Sequence, residues 1–252
     1  VHDRNTLGCL FPLQQHVGQM YAKYEAKNIP MPAAVVIGAQ PVVPMVSCVQ
    51  LPPYVNEVDV AGALQGEPVE LVKCETVDLY VPASAEIVIE GYLDIDPKTY
   101  VKEGPFAEFT GYVAGDSSPK PAIHVTAITH RNKPILRGAI EGALPGSYSE
   151  NTVGSSIQRA ATAWNVLDRA GVPGITDVWC MPVQAGINLL IQMKQSYRNQ
   201  AKQAANAVWG SSAAHVRYKH ITMVDDDIDI HDYAAVDWAI AYRVNAGEDD
   251  VI

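Results

Sequence analysis

Glu103-Gly104-Pro105-Phe106-Ala107-Glu108-Phe109-Thr110-Gly111-Tyr112 (EGPFAEFTGY) places two carboxylates five residues apart around a glycine, a proline and an aromatic ring. Pro105 has no N–H and a fixed φ, which bars it from the interior of a helix or a central strand. Gly104 accepts dihedral angles closed to other residues. The stretch therefore reads as a rigid turn opening into a strand at Phe109, with both acids on one wall of a pocket beside Phe106 and Phe109. Carboxylates crowded together in partly apolar surroundings suit general acid–base chemistry. The same pattern also serves as solvated or capping residues, and the local sequence leaves both uses open.

Around this turn the chain is rich in short strands. Residues 70–76, 77–82, 86–93, 109–114, 123–130 and 135–139 alternate or are β-branched, and Pro, Gly, Asp and Ser separate them. This spacing predicts an antiparallel barrel. Ahead of it, residues 12–28 carry Val17, Met20, Tyr21 and Tyr24 at helical spacing. Residues 33–37 read as a strand, 42–49 as a proline-broken extended run, and 57–64 as a helix closed by Gly66. The pattern changes near Leu144-Pro145-Gly146. A helix is predicted over 152–170, with Ile157, Ala160, Ala161, Trp164 and Leu167 on one face and Gly171 beyond its end. Strands over 175–181, 187–193 and 220–224 then alternate with helices over 198–209 and 233–243. The fold class is thus α+β passing into α/β, with one domain over residues 1–145 and a second over 146–252.

Composition narrows the function. A net charge of −10 on 252 residues argues against nucleic acid or an anionic membrane as the main partner. No apolar run reaches the roughly 18 residues of a membrane span. Cys9, Cys48, Cys74 and Cys180 are scattered without a C-x-x-C pair, which points to free thiols in a reducing compartment, the cytoplasm. No glycine-rich dinucleotide loop, phosphate loop or G-x-S-x-G elbow is present. The Asp225–Asp229 run lacks the glycine and later glutamate of a calcium loop, and reads as a solvated turn. The chain opens at Val1 and closes within what looks like an element in progress, as a piece of a longer protein does.

EGPFAEFTGY resembles the acid-bearing signature of the UbiD-type decarboxylases, which use prenylated FMN. Residues 71–91 (LVKCETVDLYVPASAEIVIEG) and 219–230 (KHITMVDDDIDI), with the helix through Trp238 and Arg243, are similar to the same family. The resemblance implies a flavin-binding split β-barrel followed by an α/β domain. It matches Glu108 to the acid that exchanges a proton with the substrate α-carbon. Glu103 matches the acid that pairs with an arginine, expected upstream of Val1. His16 and Glu57 match the protein ligands of a divalent metal, usually manganese, that bridges to the flavin phosphate, with a further asparagine expected upstream. A potassium ion is implied near Glu57, the backbone at Ser47, Cys48 and Val49, and Arg243. Gln15, Phe109 and Val153 are implied pocket residues, and Lys219 a candidate for the flavin phosphate. The implied enzyme is a reversible, non-oxidative carboxy-lyase for an aromatic, heteroaromatic or α,β-unsaturated acid. It would be a homodimer or larger, supplied with cofactor by a prenyl-flavin synthase. Two rivals are a metal-assisted hydrolase built on His16, Glu57 and Glu108, and a flavin-binding assembly subunit without activity.

Overall fold

The structure is a computed structural model, described over residues 1–11, 15–49, 51, 54–108, 112–113, 115–138, 148–184, 186–214 and 217–249. Two compact units divide the chain: residues 1–47, 52–108 and 112–138 form the first, and 48–51, 109–111 and 139–252 the second. Among the described residues, no helix is long and apolar enough to cross a membrane.

The first unit runs β1 (Thr6–Gly8), α1 (His16–Glu25), β2 (Met31–Ile37), α2 (Val42–Ser47), α3 (Glu57–Gln65), β3 (Leu71–Lys73), β4 (Tyr80–Pro82), β5 (Ile87–Leu93), β6 (Val101–Glu103), β7 (Ser118–Lys120) and β8 (Ala122–His130). Its main sheet has the order β1-β8-β5-β2 and is antiparallel throughout, while β3-β4 and β6-β7 are separate hairpin pairs. This corrects the barrel expectation, since among the described residues the sheets are open and mixed with helices. Short alternating strands look the same in sequence whether or not the sheet closes.

Period-two alternation gives this sheet two buried faces. Met31, Ala33, Val35, Leu93, Ile123 and Val125 pack with Tyr21, Val17 and Tyr24 of α1. Ala34, Val36 and Val88 pack on the opposite face with Cys74, Val77, Leu79 and Val81 from the β3–β4 hairpin. The pairing of β5 with β8 slips by one residue between Glu90↔Ala127 and Gly91↔Val125, leaving Thr126 as an extra residue in β8. Gly91 sits at that slip. A Cβ there would collide with the His124 carbonyl oxygen and come within 2.9 Å of Ile123 Cγ2. Both contacts belong to a paired central strand, so neither side can easily retreat. Gly91→Ala is expected to destabilise the unit by about 2–3 kcal/mol. An unchanged urea midpoint would show that the two strands separate locally without cost.

The Asn56 side chain accepts a hydrogen bond from the Val58 N–H at 2.9 Å, and Gly66 ends α3 at φ 82°. The 42–49 run is corrected: it forms α2, with Pro44 inside the first turn, where a missing N–H costs nothing. Residues 135–138 form no strand, and residue 139 lies outside the described residues. The predicted strand over 109–114 falls largely outside them too. Its described part is an isolated bridge between Ala107 and Val113.

The second unit contains α4 (Glu150–Arg169), β9 (Ile175–Cys180), β10 (Asn188–Met193), α5 (Gln200–Trp209), β11 (His220–Asp225) and α6 (Tyr233–Arg243). Its sheet is ordered β11-β10-β9, with β10 parallel to β11 and antiparallel to β9. Central β10 is buried on both sides: Leu189 and Ile191 pack with α4 and α5, and Leu190 packs with α6. The α4 stripe is corrected. Ala160, Ala163 and Leu167 face the core, whereas Ile157 and Trp164 are exposed. Small residues let α4 approach the sheet closely, so the core stripe shares Ala160 and Leu167 with the predicted one but turns toward Ala163 and away from Ile157 and Trp164.

Candidate active site

Glu103 and Glu108 come from the ends of two pieces of ladder. Val101↔Lys120 and Glu103↔Ser118 fix Glu103 as the last residue of β6. Gly104 then takes φ 80° and a cis peptide bond joins it to Pro105, so the chain turns as that sequence requires. The Glu108 N–H donates to the Tyr112 carbonyl at 2.8 Å, which holds Glu108 in place on the far side of the turn. Both glutamates are half-buried, and neither carboxylate is hydrogen-bonded to a described residue. Phe106 is exposed, and Phe109 lies outside the described residues. Half-buried carboxylates without a partner among the described residues suit proton exchange.

The Glu103 carboxylate lies over β1. Its Oε2 occupies the space that a side chain on Gly8 would fill, and Cys9 is the next residue. Burial pushes the Cys9 thiol up, and the Glu103 charge pushes it further. The sequence reading missed Gly8 and Cys9, because three-residue β1 carries too few positions to show alternation.

His16 and Glu57 stand 41 positions apart in sequence, yet His16 Nδ1 lies 3.2 Å from Glu57 Oε1. They are the first residues of α1 and α3. The positive end of α3 favours the Glu57 charge. With 34% and 43% of their side chains exposed, the contact adds little stability. Imidazole and carboxylate together form a donor set suited to manganese or a similar divalent cation. Among the described residues no third His, Cys, Asp or Glu joins them. Gln15 is the N-cap of α1 but its side chain makes no capping bond, which leaves the positive end of that helix for an anion beside His16.

The remaining predicted residues are divided between the units. Ser47 ends α2, where its hydroxyl donates to the Pro44 carbonyl at 2.8 Å. In the second unit the Cys48 carbonyl accepts from Arg217 Nη1 at 3.5 Å, and Val49 is half-buried. Arg243 is held by its own unit: Nη1 and Nη2 each donate to Asp227 at 2.7 Å, Nη1 reaches Asp225 at 3.4 Å, and the guanidinium lies over Trp238. That pairing pulls the Asp227 carboxyl below its ordinary value. A guanidinium is itself a cation without an acceptor, so only the Arg243 main chain could serve one. Val153 is exposed on α4, and Lys219 precedes β11.

Comparison with known proteins places the chain among carboxy-lyases. Residues 1–144 match the 3-octaprenyl-4-hydroxybenzoate carboxy-lyase Rift-related domain (UbiD), and residues 152–252 the C-terminal domain of the same enzymes. A pyrrole-2-carboxylic acid decarboxylase from Pseudomonas aeruginosa is 34% identical over 251 residues, covering 96% of this chain and 49% of that protein. An evolved dimeric form of the UbiD-class enzyme HmfF from Pelotomaculum thermopropionicum, solved in complex with prFMN, superposes with a TM-score of 0.85 at 34% identity, over 98% of this chain and 55% of that one. The closed form of vanillic acid decarboxylase from Sedimentibacter hydroxybenzoicus gives 0.88 at 29% identity, over 99% and 51%. The chain therefore spans about half the length of the relatives it matches.

Proposed function

We propose, because the chain belongs to the UbiD family of carboxy-lyases, that it forms part of a reversible, non-oxidative decarboxylase of an aromatic, heteroaromatic or α,β-unsaturated acid. The observation that carries this reading is the TM-score of 0.85 over 98% of the chain with an enzyme bound to prFMN. Relatives named for pyrrole-2-carboxylic and vanillic acids support a ring acid within that range.

Prenylated FMN, when bound, supplies the electron sink that loss of carbon dioxide needs. The rest of the chemistry falls to the chain's own residues. Glu108 carries the proton exchanged at the carbon that bore the carboxylate, from a main chain held by its bond to Tyr112. Glu103 sits across the turn and orients the site. His16 and Glu57 would hold manganese against the flavin phosphate, at the uncapped start of α1. Residues 1–145 then serve as the flavin-binding domain, and residues 146–252 as the α/β domain of a homodimer or larger assembly. Four free thiols fit the cytoplasm, where a prenyl-flavin synthase supplies the cofactor.

The test is the absorption spectrum, cofactor mass and metal content of protein co-produced with a prenyl-flavin synthase. Carbon dioxide release from pyrrole-2-carboxylate, vanillate and 3,4-dihydroxybenzoate completes it. Bound prenylated FMN with turnover of one ring acid is expected. A colourless, metal-free, inactive protein would overturn the proposal. In the same preparations His16→Ala and Glu57→Ala are each expected to lower manganese retention by about tenfold or more, and flavin retention with it. Full metal and flavin occupancy in both variants would remove the pair from cofactor binding.

A further inference from the structure

We infer that Gly8 is a positioning residue for Glu103: the missing side chain at Gly8 is the space in which the Glu103 carboxylate lies. The inference deepens the role proposed above for Glu103, and its catalytic consequence rests on that role. A Cβ built on Gly8 would overlap Glu103 Oε2, lie 3.5 Å from Glu103 Cδ and lie 3.4 Å from Val101 Cγ2. Val101 is thus at ordinary contact distance, and the carboxylate alone must move.

Neither backbone is free to absorb the overlap. Gly8 pairs with Ala122, and the Cys9 N–H donates to the Pro121 carbonyl at 3.1 Å, which pins β1 on both sides of the contact. Glu103 is fixed opposite Ser118. Gly8 is absent from the left-handed glycines, so alanine suits its backbone and loses less entropy on folding. The substitution should therefore leave the fold intact while it displaces one carboxylate. Few positions separate stability from site geometry so cleanly.

Cys9 provides a readout that needs no cofactor. The Glu103 charge holds its thiol protonated beyond the effect of burial, so moving that charge alters the thiolate fraction. Alkylation of Cys9 by iodoacetamide, followed peptide by peptide by mass spectrometry across pH 7–10, reports the position of the carboxylate. Glu103→Gln is expected to speed it by about threefold or more. Gly8→Ala is expected to change the rate by a similar factor while its thermal midpoint stays near that of the parent. Shortening the acid should relieve the overlap. The double variant Gly8→Ala/Glu103→Asp should therefore alkylate like Glu103→Asp alone, a non-additive result.

In the cofactor-loaded protein, Gly8→Ala should lower kcat by about tenfold with little change in KM, as lost transition-state positioning does. A Cys9 rate in Gly8→Ala equal to the parent's overturns the inference. If the Cys9 rate moves but Gly8→Ala and Glu103→Gln both turn over normally, the positioning stands and the catalytic role of Glu103 falls. Should Gly8→Ala fail to fold, folding of the double variant supports the inference and failure of both overturns it.

Discussion

Glu108→Gln is expected to slow decarboxylation by about 10²–10⁴-fold while prenylated FMN remains bound. Glutamine has the size of the glutamate and keeps the main-chain N–H that bonds to Tyr112 at 2.8 Å, so the turn should survive. The substitution removes one thing, a carboxyl group able to give and take a proton. A general acid is worth that factor when it is already aimed, and the Gly104–Pro105 turn aims Glu108 from a fixed ladder end. The check is steady-state turnover together with exchange of solvent deuterium into the product carbon, each against flavin content from the spectrum. Loss of both rates at full flavin occupancy supports the role. Turnover within twofold of the parent removes Glu108 from the proton step. Loss of flavin along with activity would instead make it a binding residue.

The largest expected effect on stability lies at Glu90. This side chain is 1% exposed in the middle of β5, and its two oxygens accept from the Glu75 N–H at 3.0 Å, the Thr76 N–H at 2.7 Å and the Thr76 hydroxyl at 2.9 Å. Glu90→Ala would take the acceptor from two part-buried main-chain N–H groups and open a void, while the Thr76 hydroxyl keeps Thr126 as a partner at 2.6 Å. At about 1–3 kcal/mol for each orphaned group, the loss should be about 3 kcal/mol or more. Burial alone would raise the Glu90 pKa, but these hydrogen bonds outweigh it and hold the carboxyl below its ordinary 4.5. A depressed carboxyl stabilises the fold above its unfolded value, and that stability is lost as pH falls through the folded value. Urea midpoints from pH 7 to pH 3 should therefore fall more steeply below pH 4.5 for the parent than for Glu90→Gln. Parallel pH curves would show that the charge at Glu90 contributes nothing to folding.

What the sequence made legible follows the strength of its periodic signals. The helices α1, α3, α4, α5 and α6 were readable because apolar spacing agrees with the stops at Gly66 and Gly171. The three-residue strands β1, β6 and β7 were not, since three positions cannot distinguish alternation from chance. Pro44 suggested an extended run because proline disrupts helices, but in a first turn it does not. The site divides in the same way. Gly104 and Pro105 announced the turn between the two acids, and the local chemistry explains why. Nothing in the spacing of His16 and Glu57 announced that they would meet, and only the resemblance joined them. Gly8 left no signal, because its contribution is an absence that has meaning only once Glu103 lies over it.

Thr126 gives β8 something like a frameshift. Along the whole strand Ile123, Val125, Ala127 and Thr129 point inward and their neighbours outward, one uninterrupted rhythm to the eye. Yet the first two belong to the α1 side of the sheet, and the last two pair with Glu90 and Val88 on the hairpin side. The extra residue switches which side the odd numbers serve, so one rhythm is read in two phases. A strand written this way tolerates changes of letter better than changes of length. Adding or removing one residue elsewhere in β8 shifts the phase for every position between the edit and Thr126, and turns a covered set of side chains toward water.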